Sequence, residues 1–410
     1  MSIYTDAQEI IHSALEACLP DQAVRRALEG KELGSGCVFL VALGKAAWQM
    51  ARCAAELLGP RLEQGVVVTK HGHSQGDIPR CQVFEGGHPV PDEGSFRGTR
   101  AAMELVQDLA PQDTVVLLVS GGGSALFERP LIPAEELAQL TSALLACGAD
   151  IVEMNTVRKR LSAVKGGRFA QLCAPAQVYS IVLSDILGDP LDMIASGPAY
   201  PDRSTCAQAR AIAEKYQLPL SGQARALLDQ ETPKELDNVE TVITGSVREL
   251  CSAAAAACQR LGYETHILTD QLCCQAREAG SFLASIARTH GQEGRSLAFL
   301  AGGETVVLLT GKGLGGRNQE LALSAAEGIS GMENALIFSL GSDGTDGPTD
   351  AAGGIVDGQT RGKLAQAGLT IHQVLADNDA YHALEKVDGL IRTGPTGTNV
   401  NDVAVVLLKG

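Results

Sequence analysis

The chain alternates between short apolar runs and segments of helical composition. Four apolar runs in the first half predict strands, at Cys37–Leu43, Gly65–Thr69, Thr114–Ser120 and Val178–Leu183. Runs of this length with few polar residues are typical of strands that are buried on both faces of a parallel sheet. The alternation therefore predicts an α/β fold.

The same alternation continues in the second half. It predicts further strands at residues 240–246, Thr305–Thr310, Ala335–Leu340 and 403–408. Between about Leu228 and Val239 the pattern turns polar, LDQETPKELDNV, and carries no apolar run. We therefore predict a boundary there between two α/β domains, residues 1–236 and 237–410.

A glycine-rich loop at Gly311–Gly316 separates the Thr305–Thr310 run from a helix predicted from Asn318 onward. The backbone N–H groups of such a loop, together with the positive end of a helix dipole, can bind phosphate or carboxylate. Arg317 lies at the helix start, where a cation opposes the dipole and suggests an anionic partner. The candidate phosphate-binding residues are Gly313, Gly315 and Gly316. A tight turn alone is the alternative.

Two nucleotide-binding motifs have partial matches in the sequence. Gly311, Gly313 and Gly316 match the G-x-G-x-x-G fingerprint of dinucleotide sites, but no acidic residue ends a clear second strand about 20 residues later. A Walker A loop at Gly44-Lys45 is excluded, because Phe39 occupies the place of its first glycine.

Two strand ends in the first half carry further candidate anion-binding residues. Lys45 follows the first predicted strand at a helix start, although an exposed lysine there is more often a solvated charge. Three glycines in succession cost backbone entropy, which a ligand lying against them would explain; a crowded turn is the alternative. These residues follow the third predicted strand and are Gly121, Gly122, Gly123 and Ser124.

The segment Asn155–Arg168 is basic in an otherwise acidic chain. If it is helical, Arg158, Ser162 and Lys165 share one face. Lys159 then lies on another face, so we expect some of these charges to be only solvated.

Aspartates gather after two of the predicted strands. Asp185 and Asp189 form the first group, and Asp343, Asp346 and Asp350 form the second. Carboxylates just beyond a parallel strand can hold Mg²⁺ or accept a hydroxyl proton. Turn and N-cap roles are the commoner alternative.

Composition narrows the class of protein. The chain has 410 residues and a net charge of −15, which opposes a broad nucleic-acid or acidic-membrane surface. Its 4% of aromatic residues suits helices packed on a parallel sheet better than a β-sandwich. The 11 cysteines lack C-x-x-C or zinc spacing and predict reduced thiols in a cytoplasmic protein. No apolar run reaches the roughly 18 residues of a membrane span, and the N-terminus does not have the pattern of a signal peptide. His71, His73 and His88 lie in one segment, but lack a matched carboxylate for a metal site.

A series of motifs covers nearly the whole chain. They are ALGKAA, EGGHPVPDEGS, VSGGGSAL, NTVRKRLSAVKGGR, LSDILGDPLDMIASGP, AGGETVV, GGRNQELAL, SLGSDGTDGPTDAAGG and TGPTGTNVND. In this order they resemble the glycerate 2-kinase family, also called class II or MOFRL-type glycerate kinases.

The resemblance implies an enzyme of carbohydrate metabolism that transfers the γ-phosphate of ATP, with Mg²⁺, to the 2-hydroxyl of D-glycerate. It also implies a Rossmann-like N-terminal domain, residues 1–236, and a smaller MOFRL-type α/β domain, residues 237–410, with the active site in the cleft between them. In that family the lysine of the GKAA motif and the arginine of the GGRNQE motif are regarded as central to catalysis. Here these are Lys45 and Arg317.

The motifs and the resemblance together give a hypothesis for each role. We expect Lys45 and Arg317 to bind the transferring phosphoryl group and residues 121–124 to bind nucleotide phosphates, since phosphoryl transfer depends on positioning and charge. Asp189 is the candidate proton acceptor. The metal candidates are Asp185, Asp343 and Asp346, and the substrate-binding candidates are Asn155, Arg158 and Lys165.

Two other functions remain as alternatives at this stage. A hydroxypyruvate reductase would need a nicotinamide site, and the weak glycine fingerprint is the only sequence evidence for one. A non-catalytic sensor of small acids would bind glycerate and leave ATP intact. The expected partners are small molecules, with no nucleic acid and no membrane, and the pattern leaves homo-oligomers open.

Overall fold

The structure is a computed structural model that describes residues 2–410. Over those residues the strands form two six-stranded sheets, as expected for an α/β protein. The strands are β1 Val38–Leu43, β2 Leu62–Lys70, β3 Cys81–Gly86, β4 Thr114–Val119, β5 Gln177–Leu183, β6 Val239–Gly245, β7 Glu264–Leu272, β8 Leu297–Gly303, β9 Ala335–Gly341, β10 Gly353–Asp357, β11 Leu390–Ile391 and β12 Asp402–Leu408.

Helices connect most of these strands, and none of those in residues 2–410 is long and apolar enough to cross a membrane. Two 3₁₀ turns lie at Gly59–Arg61 and Ile194–Ser196. The α-helices are α1 Ile3–Ala17, α2 Pro20–Leu28, α3 Ala47–Leu58, α4 Glu93–Leu105, α5 Gly123–Leu126, α6 Ala134–Ala146, α7 Ile151–Arg160, α8 Arg168–Cys173, α9 Cys206–Lys215, α10 Gly222–Leu228, α11 Val247–Arg260, α12 Ala276–His290, α13 Arg317–Gly328, α14 Thr360–Gln366, α15 Ile371–Ala376 and α16 Ala380–Glu385.

The first sheet has the strand order β3-β2-β1-β4-β5-β6, which is the order of a Rossmann-type sheet. Its ladders from β3 to β5 are all parallel. Strand β4 is buried at every position and β1 at all but one, so the four strands predicted from apolar runs are confirmed. The chain order reverses between β1 and β4. Such a reversal leaves a crevice at the carboxyl ends of the two strands.

Strand β3 lies where the sequence analysis predicted no strand. It pairs in parallel with β2 at one edge of the sheet. Its positions are mostly half-exposed, so the sequence lacks the continuous apolar run that marks the inner strands.

The second sheet has the order β11-β10-β9-β12-β8-β7 and is mixed. Strands β7 and β8 pair in parallel, whereas β8-β12, β12-β9, β9-β10 and β10-β11 are antiparallel. Helix α13 packs its buried residues Leu321, Ala322, Ala325 and Ala326 into the core of this sheet. This packing fixes the position of Arg317, the first residue of the helix.

The strand predicted at Thr305–Thr310 is wrong. The sheet strand is β8, which ends at Gly303, and the apolar side chains beyond it are exposed: Val306 by 54%, Leu308 by 58% and Leu309 by 79%. Within residues 2–410 the segment has an isolated bridge that pairs Val306 with Gln275, the residue before α12, which belongs to no strand of the sheet. Without a neighbouring ladder, β-branched composition does not form a strand.

The chain forms two compact units. One contains the N-terminal segment up to Ala23 together with Ser184–Gly188 and Gly245–Gly410; the other contains Val24–Leu183 and Asp189–Thr244. Helix α1 thus belongs with the second sheet. The predicted domain limits of 1–236 and 237–410 stay a prediction.

The basic segment after Asn155 differs from its prediction. Helix α7 ends at Arg160, so Ser162 and Lys165 do not share its face. The charges are not solvated either, since Lys159, Arg160 and Lys165 are at most 2% exposed.

Asp202 is the buried counter-ion of this basic segment. Its carboxylate lies 3.2 Å from Lys159 Nζ and 3.7 Å from Arg160, and it accepts hydrogen bonds from Ser204 and Thr232. Burial raises the pKa of Asp202, but Lys159 and the hydroxyl donors prevail and hold that pKa below its usual value. The ionised carboxylate is therefore part of the folded state.

We predict that Asp202→Asn lowers the free energy of unfolding by about 3–5 kcal/mol at neutral pH, because it takes the fully buried carboxylate away from Lys159 and Arg160, which then keep only the partly exposed Asp192 and Glu231. The pKa of Asp202 is lower in the folded than in the unfolded chain. Its contribution is therefore full above about pH 4 and is lost as the pH falls through the folded pKa. Urea unfolding at several pH values tests this.

Asp229→Asn is the matched control, since Asp229 pairs with Arg210 at 2.5 Å with 61% of its side chain exposed. It is expected to change stability by about 1 kcal/mol or less. Equal losses in the two variants would contradict the role of Asp202.

Candidate functional site

The ends of β1 and β4 bring two predicted groups together at the point where the strand order reverses. Leu43 and Val119 are paired at the ends of these strands, so Lys45 and the glycine loop that starts at Gly121 follow directly. The Lys45 N–H donates to the Gly121 carbonyl at 2.9 Å. The Ala46 N–H donates to Ser120 Oγ at 3.1 Å. The backbone therefore fixes Lys45 against this loop.

The ammonium of Lys45 has no counter-ion. Among residues 2–410 it makes no ion pair or hydrogen bond, and the residue is only half-exposed. In a chain with a net charge of −15, a half-buried cation without a carboxylate partner indicates an anionic ligand. The predicted alternative, a solvated surface charge, fits this environment less well.

His88 and Lys45 both lie against Gly122 of this loop. Gly122 has a φ of 83°, and a Cβ there would lie 2.9 Å from His88 Cδ2 and 3.2 Å from Lys45 Cγ. Burial, and next the charges of Lys45, Lys70 and His73, lower the pKa of His88. The imidazole is thus neutral near pH 7 and lies beside the unpaired ammonium.

A hydrogen-bonded chain of polar side chains continues from the glycine loop. Ser124 Oγ lies 2.9 Å from Ser196 Oγ, which donates to Asn155 Oδ1 at 2.9 Å. Arg158 Nη2 donates to the Ser124 carbonyl at 3.3 Å, and its buried Nε has no hydrogen-bond partner. Arg158 has no carboxylate partner among residues 2–410. The predicted substrate residues Asn155 and Arg158 therefore lie next to the loop.

Lys165 has a different surrounding from the one predicted. Its ammonium donates to the carbonyls of Ser124 at 2.9 Å and Phe127 at 2.8 Å and lies 3.2 Å from Glu128. Burial lowers the pKa of Lys165 to about 8, although Glu128 opposes this. Two of the three donors of the ammonium are used by these carbonyls, and Glu128 supplies the counter-charge. Lys165 thus anchors the residues after the glycine loop.

The aspartates after β5 lie in an irregular segment. Asp189 has a φ of 50°, and its Oδ1 is buried without a hydrogen-bond partner. A buried carboxylate oxygen without a donor is costly, so it marks Asp189 as a candidate for contact with a ligand hydroxyl. Asp185 lies in the short segment Ser184–Gly188 of the other compact unit.

The loop before α13 is held by the protein's own acceptors. Asn378 Oδ1 accepts the Gly311 N–H at 2.9 Å, the Asp377 carbonyl accepts that of Gly313 at 2.7 Å, and Asp379 accepts that of Leu314 at 2.9 Å. Since β8 ends at Gly303, no strand leads directly into this loop. The dinucleotide fingerprint therefore lacks its strand-loop-helix context.

Asp346 occupies the N-terminus of α13. Its carboxylate accepts the N–H groups of Asn318 at 3.1 Å and Gln319 at 2.8 Å. Burial raises the pKa of Asp346 to about 6, against the effect of these two donors. A Cβ on Gly316 would lie 2.2 Å from the Asp346 carboxyl carbon. The anion expected beside Gly315 and Gly316 is thus supplied by the protein itself.

Arg317 also has partners within the chain. Asp402 accepts from Nε at 2.6 Å and from Nη2 at 3.1 Å, and Glu304 accepts from Nη1 at 2.8 Å. Burial disfavours the charged guanidinium, but the two carboxylates prevail and raise the pKa of Arg317. The side chain is 32% exposed and lines a cavity of about 730 Å³. It can therefore still meet a ligand.

Asp343 lines the same cavity as Arg317. Its Oδ1 accepts the Thr345 N–H at 3.0 Å, and its other oxygen makes no hydrogen bond within residues 2–410. Those residues contain no group of three or more His, Cys, Asp or Glu side chains arranged for a metal. A nucleotide-bound Mg²⁺ needs only one or two protein carboxylates. Asp343 fits that requirement, whereas both oxygens of Asp346 are used by backbone donors.

Sequence analysis missed four residues of these groups. Glu304 and Asp402 were not considered, although GGE and NVND belong to the quoted motifs. Ser196 lies in the SGP turn, and His88 was considered only as a metal ligand. All four residues lie in turn motifs that the sequence shows. Their hydrogen-bond and contact partners, however, are far away in the sequence, so the contacts could not be predicted.

Two families match the chain. Residues 6–229 match a family described as a domain of unknown function, DUF4147, and residues 297–402 match the MOFRL family.

Named relatives and a solved structure agree over the full length. A D-glycerate 2-kinase from Thermotoga maritima is 52% identical over 408 residues, which cover 98% of this chain and 97% of the relative. A glycerate 2-kinase from Pyrococcus horikoshii is 41% identical and covers 100% of this chain and 98% of the relative. A crystal structure of glycerate kinase from Thermotoga maritima superposes with a TM-score of 0.95 at 51% identity, covering 98% and 99% of the two chains.

The reductase name also occurs among the relatives, at lower identity. A protein from Agrobacterium vitis named as a hydroxypyruvate reductase is 38% identical and covers 98% of this chain and 93% of the relative. The glycine fingerprint on which a nicotinamide site would depend lacks its strand here. On the full-length identities of 52% and 41%, the chain belongs to the glycerate 2-kinase family.

Proposed function

We propose that this enzyme transfers the γ-phosphoryl group of ATP to the 2-hydroxyl of D-glycerate, giving 2-phosphoglycerate and ADP. Family membership gives the kinase class, with a nucleotide and a small-molecule acceptor as substrates. The observation that carries the assignment to this chain is the unpaired Lys45 against the glycine loop, at the crevice of a Rossmann-type sheet. Anionic substrates supply the charge that the site lacks.

Lys45 and the glycine loop take the nucleotide phosphates in this proposal. Residues 121–124 bring backbone N–H groups close to a ligand, and Lys45 supplies the compensating charge. His88 stays neutral beside Lys45, so it can donate or accept a hydrogen bond without adding charge. Arg158 and Asn155 bind the carboxylate of D-glycerate, for which a planar guanidinium is well suited.

Asp189 accepts the proton of the reacting hydroxyl. The hydroxyl oxygen forms the new bond to phosphorus while the bond from phosphorus to the β-phosphate oxygen breaks. The proton passes to the carboxylate of Asp189. The buried oxygen of Asp189 without a donor supports this choice, because a substrate hydroxyl would satisfy it.

Arg317 stabilises the charge on the transferring group, as arginines do in other phosphoryl-transfer enzymes. Asp343 would hold Mg²⁺ together with the nucleotide phosphates. The ion would supply charge neutralisation of those phosphates.

One assay tests the proposal directly. The full-length protein is incubated with ATP, Mg²⁺ and D-glycerate, and the phosphoglycerate isomers are resolved by ³¹P NMR. We expect the 2-phospho isomer alone, with one ADP for each product molecule. A parallel reaction with NADH or NADPH and hydroxypyruvate should show no change in absorbance. The 3-phospho isomer, or reduction of hydroxypyruvate, would overturn the assignment.

Replacing Lys45 by Ala should reduce kcat/KM by about 10³-fold, since it removes the cation that we propose to bind the nucleotide phosphates at this loop. Lys386→Ala is the control, because Lys386 is an exposed lysine at the end of α16. Steady-state kinetics of both variants give the comparison. Similar values for the two would remove Lys45 from the mechanism.

Arg317→Ala should lower turnover by about 10³-fold or more if Arg317 acts like other phosphoryl-binding arginines. Arg361→Ala serves as a control on the surface, where Arg361 pairs with Glu327 at 3.3 Å. Near-normal turnover of Arg317→Ala would refute the role.

Gly122→Ala should lower both activity and stability. Its φ of 83° is unfavourable for alanine, and the new methyl group would press on His88 and Lys45. We expect a loss of about 1–2 kcal/mol in unfolding free energy and a larger relative loss of kcat/KM. Gly30→Ala is the control that separates backbone strain from contact with a ligand. Gly30 also has a positive φ, 72°, but a Cβ there would meet no other atom within 4 Å. Full activity in Gly122→Ala would show that no ligand lies against the loop.

A further inference from the structure

The two carboxylates that bind Arg317 differ strongly in burial. The side chain of Asp402 is 8% exposed, whereas that of Glu304 is 46% exposed. Removing a buried carboxylate from its cation is costly, but separating a half-exposed pair costs little. The two contacts are therefore not equivalent.

The backbone makes the same distinction. Asp402 is the first residue of β12 and is paired with Gly303 and Gly341 on the two neighbouring strands. Glu304 lies one residue beyond β8, where its N–H donates to the Leu272 carbonyl at 2.7 Å. Its side chain has no other partner than Arg317 within residues 2–410. Asp402 is thus held in place, while Glu304 can rotate into solvent.

A count of the guanidinium donors shows what a ligand would meet. The guanidinium of Arg317 has five N–H groups. Asp402 accepts hydrogen bonds from the N–H of Nε and from one N–H of Nη2, and Glu304 accepts one from Nη1. The end formed by Nη1 and Nη2 is the fork that binds phosphate with two parallel hydrogen bonds. Glu304 thus occupies one half of that fork.

We propose that Asp402 is the positioning residue for Arg317 and that Glu304 is a displaceable internal anion, which the phosphoryl group of the bound nucleotide replaces on Nη1. This inference rests on the proposed phosphoryl transfer. Without nucleotide, Glu304 occupies the Nη1 donor that would otherwise have no partner. With nucleotide, the phosphate completes the fork while Asp402 keeps the plane of the guanidinium fixed.

The proposal predicts that Glu304→Gln binds nucleotide more tightly than the parent enzyme. The neutral amide competes less well for Nη1, so we expect the KM for ATP to fall roughly two- to fivefold, the range that a half-exposed ion pair contributes. Glu264→Gln is the matched control, since Glu264 pairs with Arg295 at 2.5 Å and is 49% exposed. The KM for ATP of this variant should equal that of the parent enzyme.

Asp402→Asn is expected to act on turnover. The amide cannot hold the guanidinium with two charged hydrogen bonds, so kcat should fall about 10- to 100-fold, as for other residues that orient an essential group. The KM for ATP should move less than kcat. Thermal unfolding of the variant separates this from loss of the fold. A stable Asp402→Asn enzyme with a parental kcat would overturn the positioning role.

Calorimetric titration of ATP into the full-length protein and into Glu304→Gln, without glycerate, tests the displacement independently of the acceptor. Tighter ATP binding supports the proposal even if the enzyme were to phosphorylate another hydroxy acid. Equal or weaker ATP binding overturns it. A titration with D-glycerate identifies the anion: a gain in glycerate affinity alone would overturn the assignment to phosphate.

Discussion

Parallel pairing between β1 and β4 is the constraint on which the candidate site depends. The two strands end in register at Leu43 and Val119, so the chain leaves both at the same level of the sheet. Lys45 and the loop from Gly121 then meet through backbone hydrogen bonds before any side chain is considered. The order of the strands decides that these two segments, rather than neighbours in sequence, form one surface.

Lys45 and Arg317, the two cations near helix starts, have opposite electrostatic surroundings. Lys45 has no counter-ion within the described residues, and burial, together with the charges of Lys45, Lys70 and His73, lowers the pKa of His88. Arg317 lies among Glu304, Asp402 and, at the helix N-terminus, Asp346. One group attracts an anion by lacking charge compensation, and the other holds a cation in a defined orientation.

Local patterns identified much of the first sheet and predicted several residues of the candidate site. Strands that are buried on both faces consist mostly of apolar residues, so the sequence shows them as apolar runs. Lys45 and residues 121–124 follow such strands, and Arg317 begins a helix, as the patterns predicted. Long-range pairing was not visible: Arg317 and Asp402 lie 85 residues apart and meet through the register of β12. The exposed Thr305–Thr310 segment shows the converse, because its composition suits a strand that the sheet does not accommodate.

The aspartate that closes the N-terminus of α13 has a consequence for product release. An open helix N-terminus retains phosphate through several backbone donors at once. With Asp346 bound to the N–H groups of Asn318 and Gln319, those donors are satisfied within the chain. Under the proposed function, a departing phosphorylated acid then has no contact to break with these amides, and Arg317 meets it through a side chain, which exchanges with water more readily than a rigid ring of amides.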